Sequence, residues 1–145
     1  MDELLKLTKT EIVTIFNDEL NTFLTELLLI IKNVEVNDDN RSKLLSYKNL
    51  IDTGISTNKE IGIEMFSGYI FSNDNFYEKI SSRDYDFFYK MDEEIDKTNK
   101  FVEIIIIIKK LFIQLSETSK DNLFGYLENL STLSNIYAMK KIENK

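Results

Sequence analysis

The chain contains no proline and only four glycines among its 145 residues. Folds made of β-strands need many tight turns, and glycine and proline form a large share of those turns. A shortage of both therefore favours helices. A chain of this length suits one compact domain. We expect residues 1–145 to form a single all-α domain.

The most regular apolar pattern begins after Thr8. Thr8 and Glu11 have the spacing of a capping box, in which each side chain accepts a hydrogen bond from the other residue's backbone amide. Beyond them, apolar residues recur at steps of three and four, the spacing of one helix face: Ile12, Phe16, Leu20, Phe23, Leu27 and Ile30 or Ile31. The sequence predicts a helix from this box to about Lys32.

A polar stretch at 33–40, rich in Asn and Asp, is expected to be a loop. The helix predicted after it ends at Gly54, since glycine is the commonest residue just beyond a helix end. One side of that helix is expected to be apolar: Leu44, Tyr47, Leu50 and Ile51.

Capping-box patterns at 57–60 and at 81–84 predict two further helix starts. The first opens a helix that contains Ile61, Met65, Phe66, Tyr69 and Ile70. Gly62 and Gly68 weaken that helix by about 1 kcal/mol each relative to Ala, unless close backbone packing offsets the cost. A short helical piece is expected at 76–80.

Five consecutive isoleucines, Ile104 to Ile108, favour a strand by intrinsic propensity. The apolar run that surrounds them, 101–113, is interrupted by charged residues at helical spacing. We therefore expect a helix from about Asp96 to Leu115, with a strand as the alternative. A helix this apolar on all sides is expected near the centre of a bundle.

The last predicted helix is capped by Ser116 or Ser119 and ends near the basic residues Lys140 and Lys141, which suit a helix C-terminus. Its apolar positions again follow steps of three and four: Leu123, Tyr126, Leu127, Leu130, Leu133, Ile136 and Tyr137. Together these elements predict a bundle of five or six helices, with the first, the Ile-rich and the last helix at its centre.

The chain has neither His nor Cys, which excludes thiol chemistry, zinc–thiolate sites and catalytic triads that contain histidine. None of its acidic stretches has the ligand spacing of an EF-hand loop, and it has no glycine-rich phosphate loop. We predict no catalytic, cofactor-binding or metal site. Neighbouring carboxylates, at Asp84 and Asp86 or at Glu93 and Glu94, leave a carboxylate-dependent enzyme as an alternative.

The net charge of −7 repels nucleic-acid phosphates and anionic membranes, so neither is expected as a partner. Residues 1–4 lack the basic region of a secretory signal. The longest apolar stretches, 27–31 and 104–108, are far shorter than the roughly 18–20 residues needed to span a bilayer. We expect a soluble intracellular protein that is neither secreted nor membrane-spanning.

Aromatic and acidic residues are concentrated at 84–89: Asp84, Tyr85, Asp86, Phe87, Phe88 and Tyr89. A helix cannot turn all four of these aromatic rings into one core, so at least one is expected at the surface. Exposed aromatics beside charges are typical of protein interfaces. This stretch is our candidate interaction surface. The alternative is a small satellite core beneath an irregular connection.

Asp84-Tyr85-Asp86-Phe87-Phe88 and Tyr126-Leu127-Glu128-Asn129-Leu130 resemble the Asp-x-x-Phe-Phe and Tyr-Leu-x-x-Leu elements of a group of small helical proteins encoded by large nucleocytoplasmic DNA viruses. That group often carries Trp in the helix before the closing one, and here Phe112 takes the place. The resemblance implies a viral source and a location in the host cell or the virus particle. It transfers no reaction and no catalytic residue.

The expected function is therefore a non-enzymatic interaction or structural module, which binds a protein partner or self-associates through residues 84–89. A packing component of a virus particle is an alternative. Another is a helical mimic of a host regulator, which would present a groove for a partner helix.

Overall fold

The computed structural model describes residues 2–33, 38–71, 76–86, 100–112 and 114–143. Within these ranges the chain is almost entirely helical and contains no strand, which confirms the all-α prediction. The helices are α1 (Asp2–Leu5), α2 (Lys9–Asn33), α3 (Asp38–Thr57), α4 (Ile61–Phe71), α5 (Phe76–Ser81), α6 (Lys100–Phe112) and α7 (Glu117–Glu143). Of the loop predicted at 33–40, Asn33 and residues 38–40 are helical instead, and residues 34–37 lie outside the described ranges.

The predicted capping box opens α2. The Thr8 amide donates to Glu11 Oε1 over 3.0 Å, and the Glu11 amide donates to Thr8 Oγ1 over 3.1 Å. The backbone hydrogen bond from Thr8 lowers the pKa of the Glu11 carboxyl. Two amides that the first turn leaves without helical partners are thus satisfied.

The prediction that Gly54 ends the second helix is wrong. Helix α3 continues to Thr57, and the Asn58 amide still donates to the Gly54 carbonyl over 2.8 Å. The glycine serves packing instead, since a Cβ there would lie 3.3 Å from Ile61 Cγ2. Leu50 was also misplaced, because it lies 54% exposed while Leu44 is buried.

The capping box expected at 57–60 is likewise absent. Thr57 belongs to α3, and its hydroxyl donates to the Thr53 carbonyl over 3.2 Å. The turn before α4 is closed by Asn58, whose Oδ1 accepts from the Glu60 amide over 3.1 Å. The hydroxyl that was predicted to cap α4 is therefore used by the preceding helix.

Helix α4 is present as predicted, and Gly62 is closely packed. A Cβ on Gly62 would lie 3.3 Å from Ile55 Cδ1 and 3.4 Å from both Asn17 Oδ1 and Leu20 Cδ2. Asn17 also donates from Nδ2 to the Lys59 carbonyl over 3.0 Å. The glycine therefore lets α2 and α3 approach the start of α4, which offsets its low helix propensity.

The box expected at 81–84 is a helix end and not a helix start. The Asp84 amide donates to the Lys79 carbonyl over 2.9 Å, and the Arg83 amide donates to the Ile80 carbonyl over 3.1 Å. These two bonds form a Schellman motif, which needs a left-handed residue after the helix. Arg83 takes that role with φ of 59°. Glycine is the residue usually found at such a position, so an arginine there does not indicate a helix end.

The isoleucine run is helical, as the surrounding charge spacing indicated. Ile104, Ile105, Ile107 and Ile108 are buried, and Ile106 is partly buried. The backbone of α6 runs beside α3 and α4. Burial on several sides overrides the strand propensity of β-branched residues. Residues 96–99, predicted as the start of this helix, lie outside the described ranges.

Helix α7 is capped by Ser116, whose Oγ accepts from the Ser119 amide over 3.1 Å. It packs most extensively along α2, and also crosses α4 and α5. Of its predicted apolar positions all but Tyr126 are buried, and Phe124 joins them. The core therefore centres on the α2–α7 pair. Its largest fully buried side chains include Phe16, Phe23, Phe66, Phe112 and Phe124.

Candidate functional site

The described part of the predicted interaction surface consists of Asp84, Tyr85 and Asp86. The Tyr85 ring packs edge-on against Phe112 and Phe124, with centroids 5.3 and 5.0 Å away. Asp84 is partly buried and lies 3.5 Å from Lys79 Nζ, while Asp86 is exposed. Tyr85 is thus partly buried against the main core. Phe87, Phe88 and Tyr89 lie outside the described ranges, so their exposure stays a prediction.

A groove between α2 and α7, closed at its sides by α1 and α5, is the more developed surface. We call it the acidic groove. Its volume is about 510 Å³, and it is lined by Leu4, Ile15, Glu19, Tyr77, Glu128, Asn129, Thr132 and Leu133. Ile15 and Tyr77 are 38% and 39% exposed. These two side chains supply exposed apolar area in the groove, and tyrosine is among the residue types enriched in binding hot spots.

The wall formed by α1 is held by a long-range contact. Lys140 Nζ, near the end of α7, donates to the Leu5 carbonyl over 2.8 Å. A four-residue helix has little stability of its own. The Lys140 contact therefore helps to fix the position of Leu4 at the groove.

The polar side of the acidic groove is organised by Asn129. Its Nδ2 donates to Glu19 Oε1 over 3.1 Å, which joins α7 to α2 across the groove. Burial, together with the negative charges of Glu26 and Glu19, raises the pKa of the nearby Tyr126 hydroxyl.

A second depression continues from the acidic groove through their shared residue, Asn129. This Arg83 cleft has a volume of about 390 Å³ and is lined by Glu26, Arg83, Asp121, Asn122, Gly125, Tyr126 and Asn129. Arg83 Nε donates to Asp121 Oδ1 over 2.6 Å, and Nη1 lies 3.8 Å from Glu128 Oε1. The groove and the cleft together hold four carboxylates, those of Glu19, Glu26, Asp121 and Glu128, against this one guanidinium.

A second apolar surface, which carries positive charge, lies nearer the C-terminal end of α2 and includes residues of α3. It consists of Leu29, Leu45 and Leu50, which are 50%, 48% and 54% exposed. Lys32 and Arg41 line the shallow hollow of about 230 Å³ between Leu29 and Leu45. We call these three leucines the leucine ridge. The charged residues that line this hollow are both cations, whereas those that line the acidic groove are both carboxylates.

Sequence reasoning missed both surfaces, although it placed most of their helices. The acidic groove combines residues from four helices, and no linear motif contains them. A usable signal existed in α2, where Ile15 and Leu29 are apolar but lie off the stripe that runs through Ile12, Phe16 and Leu20. Apolar residues on the solvent side of an amphipathic helix are candidates for contacts with partners.

Comparison with protein-family models, with curated proteins and with solved structures gave no match to this chain. In the ranges that the structure describes, no helix combines the length and apolar character that crossing a bilayer requires. Among the same residues, no three acidic side chains converge closely enough to hold a metal ion. Glu93 and Glu94, one of the two carboxylate pairs considered for catalysis, lie outside these ranges.

Proposed function

We propose that the chain is a non-enzymatic protein-interaction module, and that its acidic groove binds an apolar, positively charged helical surface. The observation that carries this proposal is that exposed apolar side chains and negatively charged carboxylates lie together in one depression. Ile15 and Tyr77 offer apolar area, while Glu19 and Glu128 lie beside them. A groove that receives one face of an amphipathic helix uses the same combination.

Electrostatics favour a basic ligand over an acidic or neutral one. The groove and the adjoining Arg83 cleft carry a local excess of carboxylates, and the whole chain carries a net charge of −7. Complementary charge accelerates encounter and excludes wrong partners more than it adds affinity. The apolar anchors supply the affinity, and the carboxylates select the partner.

A designed peptide pair tests this chemistry directly. One helical peptide carries leucines on one face and lysines at its edges, and the other has glutamates in place of every lysine. Titration calorimetry is expected to show micromolar binding of the lysine peptide and at least about tenfold weaker binding of the glutamate peptide. Equal binding of both peptides, or binding of neither peptide to the monomeric chain, would contradict the proposal.

Charge reversal locates the binding to the groove. Glu19→Lys with Glu128→Lys is expected to weaken binding of the lysine peptide by at least about tenfold. The matched control, Asp52→Lys with Glu143→Lys, changes the net charge equally but lies outside the groove. Its binding is expected to fall by much less, since only the long-range attraction is reduced.

A structural role in an assembly is a second candidate, favoured by the half-exposed leucine ridge. We also propose, from the resemblance of residues 84–88 and 126–130 to viral helical proteins, that the chain acts inside a host cell or a virus particle. Purified particles that contain the chain in high copy number would support this second role.

A further inference from the structure

The leucine ridge and the acidic groove are complementary in charge, and both expose apolar side chains. The ridge carries Lys32 and Arg41 beside half-exposed leucines, while the groove carries Glu19 and Glu128 beside Ile15 and Tyr77. Each therefore has the chemistry that the other requires of a ligand. Because both surfaces belong to the same chain, a second copy of the chain carries a leucine ridge that matches the groove of the first.

The two surfaces lie on the same side of α2 and do not overlap. Ile15 of the groove and Leu29 of the ridge are 14 residues apart. At 1.5 Å and 100° per residue, that separation is about 21 Å along the helix and only about 40° around it. The groove opens toward α7 and the ridge toward α3. Because Thr22 is midway in sequence between Ile15 and Leu29, it lies near the midpoint between the two surfaces along α2.

Two patches on one side of a molecule can be exchanged by a two-fold axis that passes midway between them. Such an axis near Thr22 places the ridge of each copy in the groove of the other. The contact is then made twice, and the assembly closes at two copies, which is the commonest symmetry of soluble oligomers. We infer that the chain forms a two-fold dimer in which each leucine ridge occupies the partner's acidic groove. This inference rests on the proposed function of the groove.

Net repulsion between two copies is the main argument against self-association. The Debye length is about 8 Å at physiological ionic strength. Charges farther apart than this are largely screened, whereas carboxylates and cations within the contact lie at a few ångströms. Under these conditions the local attraction is therefore retained while most of the repulsion between the two net charges is lost.

Complementary charge reversal tests the inference with the whole chain. Light scattering is expected to show twice the 17.1 kDa monomer mass for the unaltered chain. Lys32→Glu with Arg41→Glu makes the ridge acidic, and Glu19→Lys with Glu128→Lys makes the groove basic. Each double variant alone is expected to dimerise at least about tenfold more weakly. An equimolar mixture is expected to restore the dimer, because each ridge then meets a groove of opposite charge.

Restoration in the mixture also shows that both variants are folded. The matched control is Lys59→Glu with Lys110→Glu. This variant changes the net charge by the same amount as the ridge variant, but its substitutions lie outside the ridge. The control is expected to dimerise like the unaltered chain. A monomer at all concentrations would overturn the inference. A dimer that ignores the charge reversals, or a mixture that stays monomeric, would also overturn it.

A cysteine-free chain allows a second test by cross-linking. Thr22→Cys places one thiol near the proposed axis, so mild oxidation is expected to give a disulfide-linked dimer rapidly. Lys110→Cys, on α6, is expected to cross-link at least about tenfold more slowly, as a bimolecular encounter. Equal rates would contradict the proposed axis. Binding of the lysine peptide by a strictly monomeric chain would refute the dimer and leave the groove function intact.

Discussion

The Tyr137 hydroxyl donates a 2.8 Å hydrogen bond to Oε1 of Glu64 and so joins α7 to α4. Lys141 Nζ donates to the same oxygen over 2.9 Å. The hydrogen bonds from Lys141 and Tyr137 hold the pKa of Glu64 below its usual range. Burial and the bond to Glu64 raise the pKa of the Tyr137 hydroxyl. The ionised form of Glu64 is therefore the one that stabilises this contact between the two helices.

This contact gives the stability of the chain a defined dependence on pH. The folded pKa of Glu64 is below the unfolded value of about 4.3, so its stabilisation is complete above that value and is lost as pH falls through the folded pKa. Glu64→Gln is expected to lower the free energy of unfolding by about 1 kcal/mol at neutral pH, since the pair is half exposed. Urea unfolding at pH 7 and pH 3 is expected to show the difference from the unaltered chain shrinking at pH 3. A difference of equal size at both pH values would contradict this, and Glu143→Gln serves as the control.

The left-handed backbone of Arg83 predicts an unusual order of stabilities. Arg83→Ala and Arg83→Gly remove the same contacts with Asp121 and Glu128, but only glycine also relieves the strain of φ at 59°. We expect Arg83→Gly to be more stable than Arg83→Ala by about 1 kcal/mol in thermal or urea unfolding. At Ser82, whose φ is not positive, we expect Ser82→Ala to be more stable than Ser82→Gly. The same order at both positions would contradict the assignment.

Two helical glycines are predicted to respond oppositely to alanine. A Cβ on Gly125 has open space, with Arg83 Nη2 nearest at 4.0 Å. Gly125→Ala is therefore expected to raise the free energy of unfolding by about 1 kcal/mol. A Cβ on Gly62 meets three neighbours at 3.3–3.4 Å, and Gly62→Ala is expected to destabilise by about 1 kcal/mol. Urea unfolding distinguishes the two, and equal gains would show that the packing at Gly62 is not limiting.

The capping box at the start of α2 is predicted to contribute measurably to stability. Thr8→Ala removes the acceptor of the Glu11 amide, and the expected loss is about 1 kcal/mol in the free energy of unfolding. Thr8→Ser keeps a hydroxyl at the same place and is expected to retain most of the stability. If both variants lost the same amount, the hydroxyl would not be the source of the effect.

The helices themselves were largely predictable from the sequence, because apolar spacing and caps are local. The Thr8–Glu11 box and the Ser116 cap are found where they were expected. The predicted helix boundaries were wrong where the local sequence allows the helix either to continue or to end. Gly54 accommodates Ile61 within a continuing helix, and Arg83 adopts a conformation that its own sequence does not favour.

The candidate surfaces were less predictable, since they depend on which helices meet. Glu19 and Asn129 are 110 residues apart and form one side of the acidic groove. Nothing in their local sequence links them. Tyr85 is a second example. Its acidic surroundings in the sequence placed it in the candidate interaction surface, but its ring packs against Phe112 and Phe124.

The central claim, that the acidic groove is the binding surface, is tested most directly by mapping the lysine peptide on the isotopically labelled chain with NMR. Amide shifts are expected to concentrate around Ile15 and Glu19, at Tyr77 and along 128–133. The same titration with the glutamate peptide is expected to leave those amides in place. Shifts that centre on the leucine ridge, or that are scattered over the whole surface, would contradict the claim.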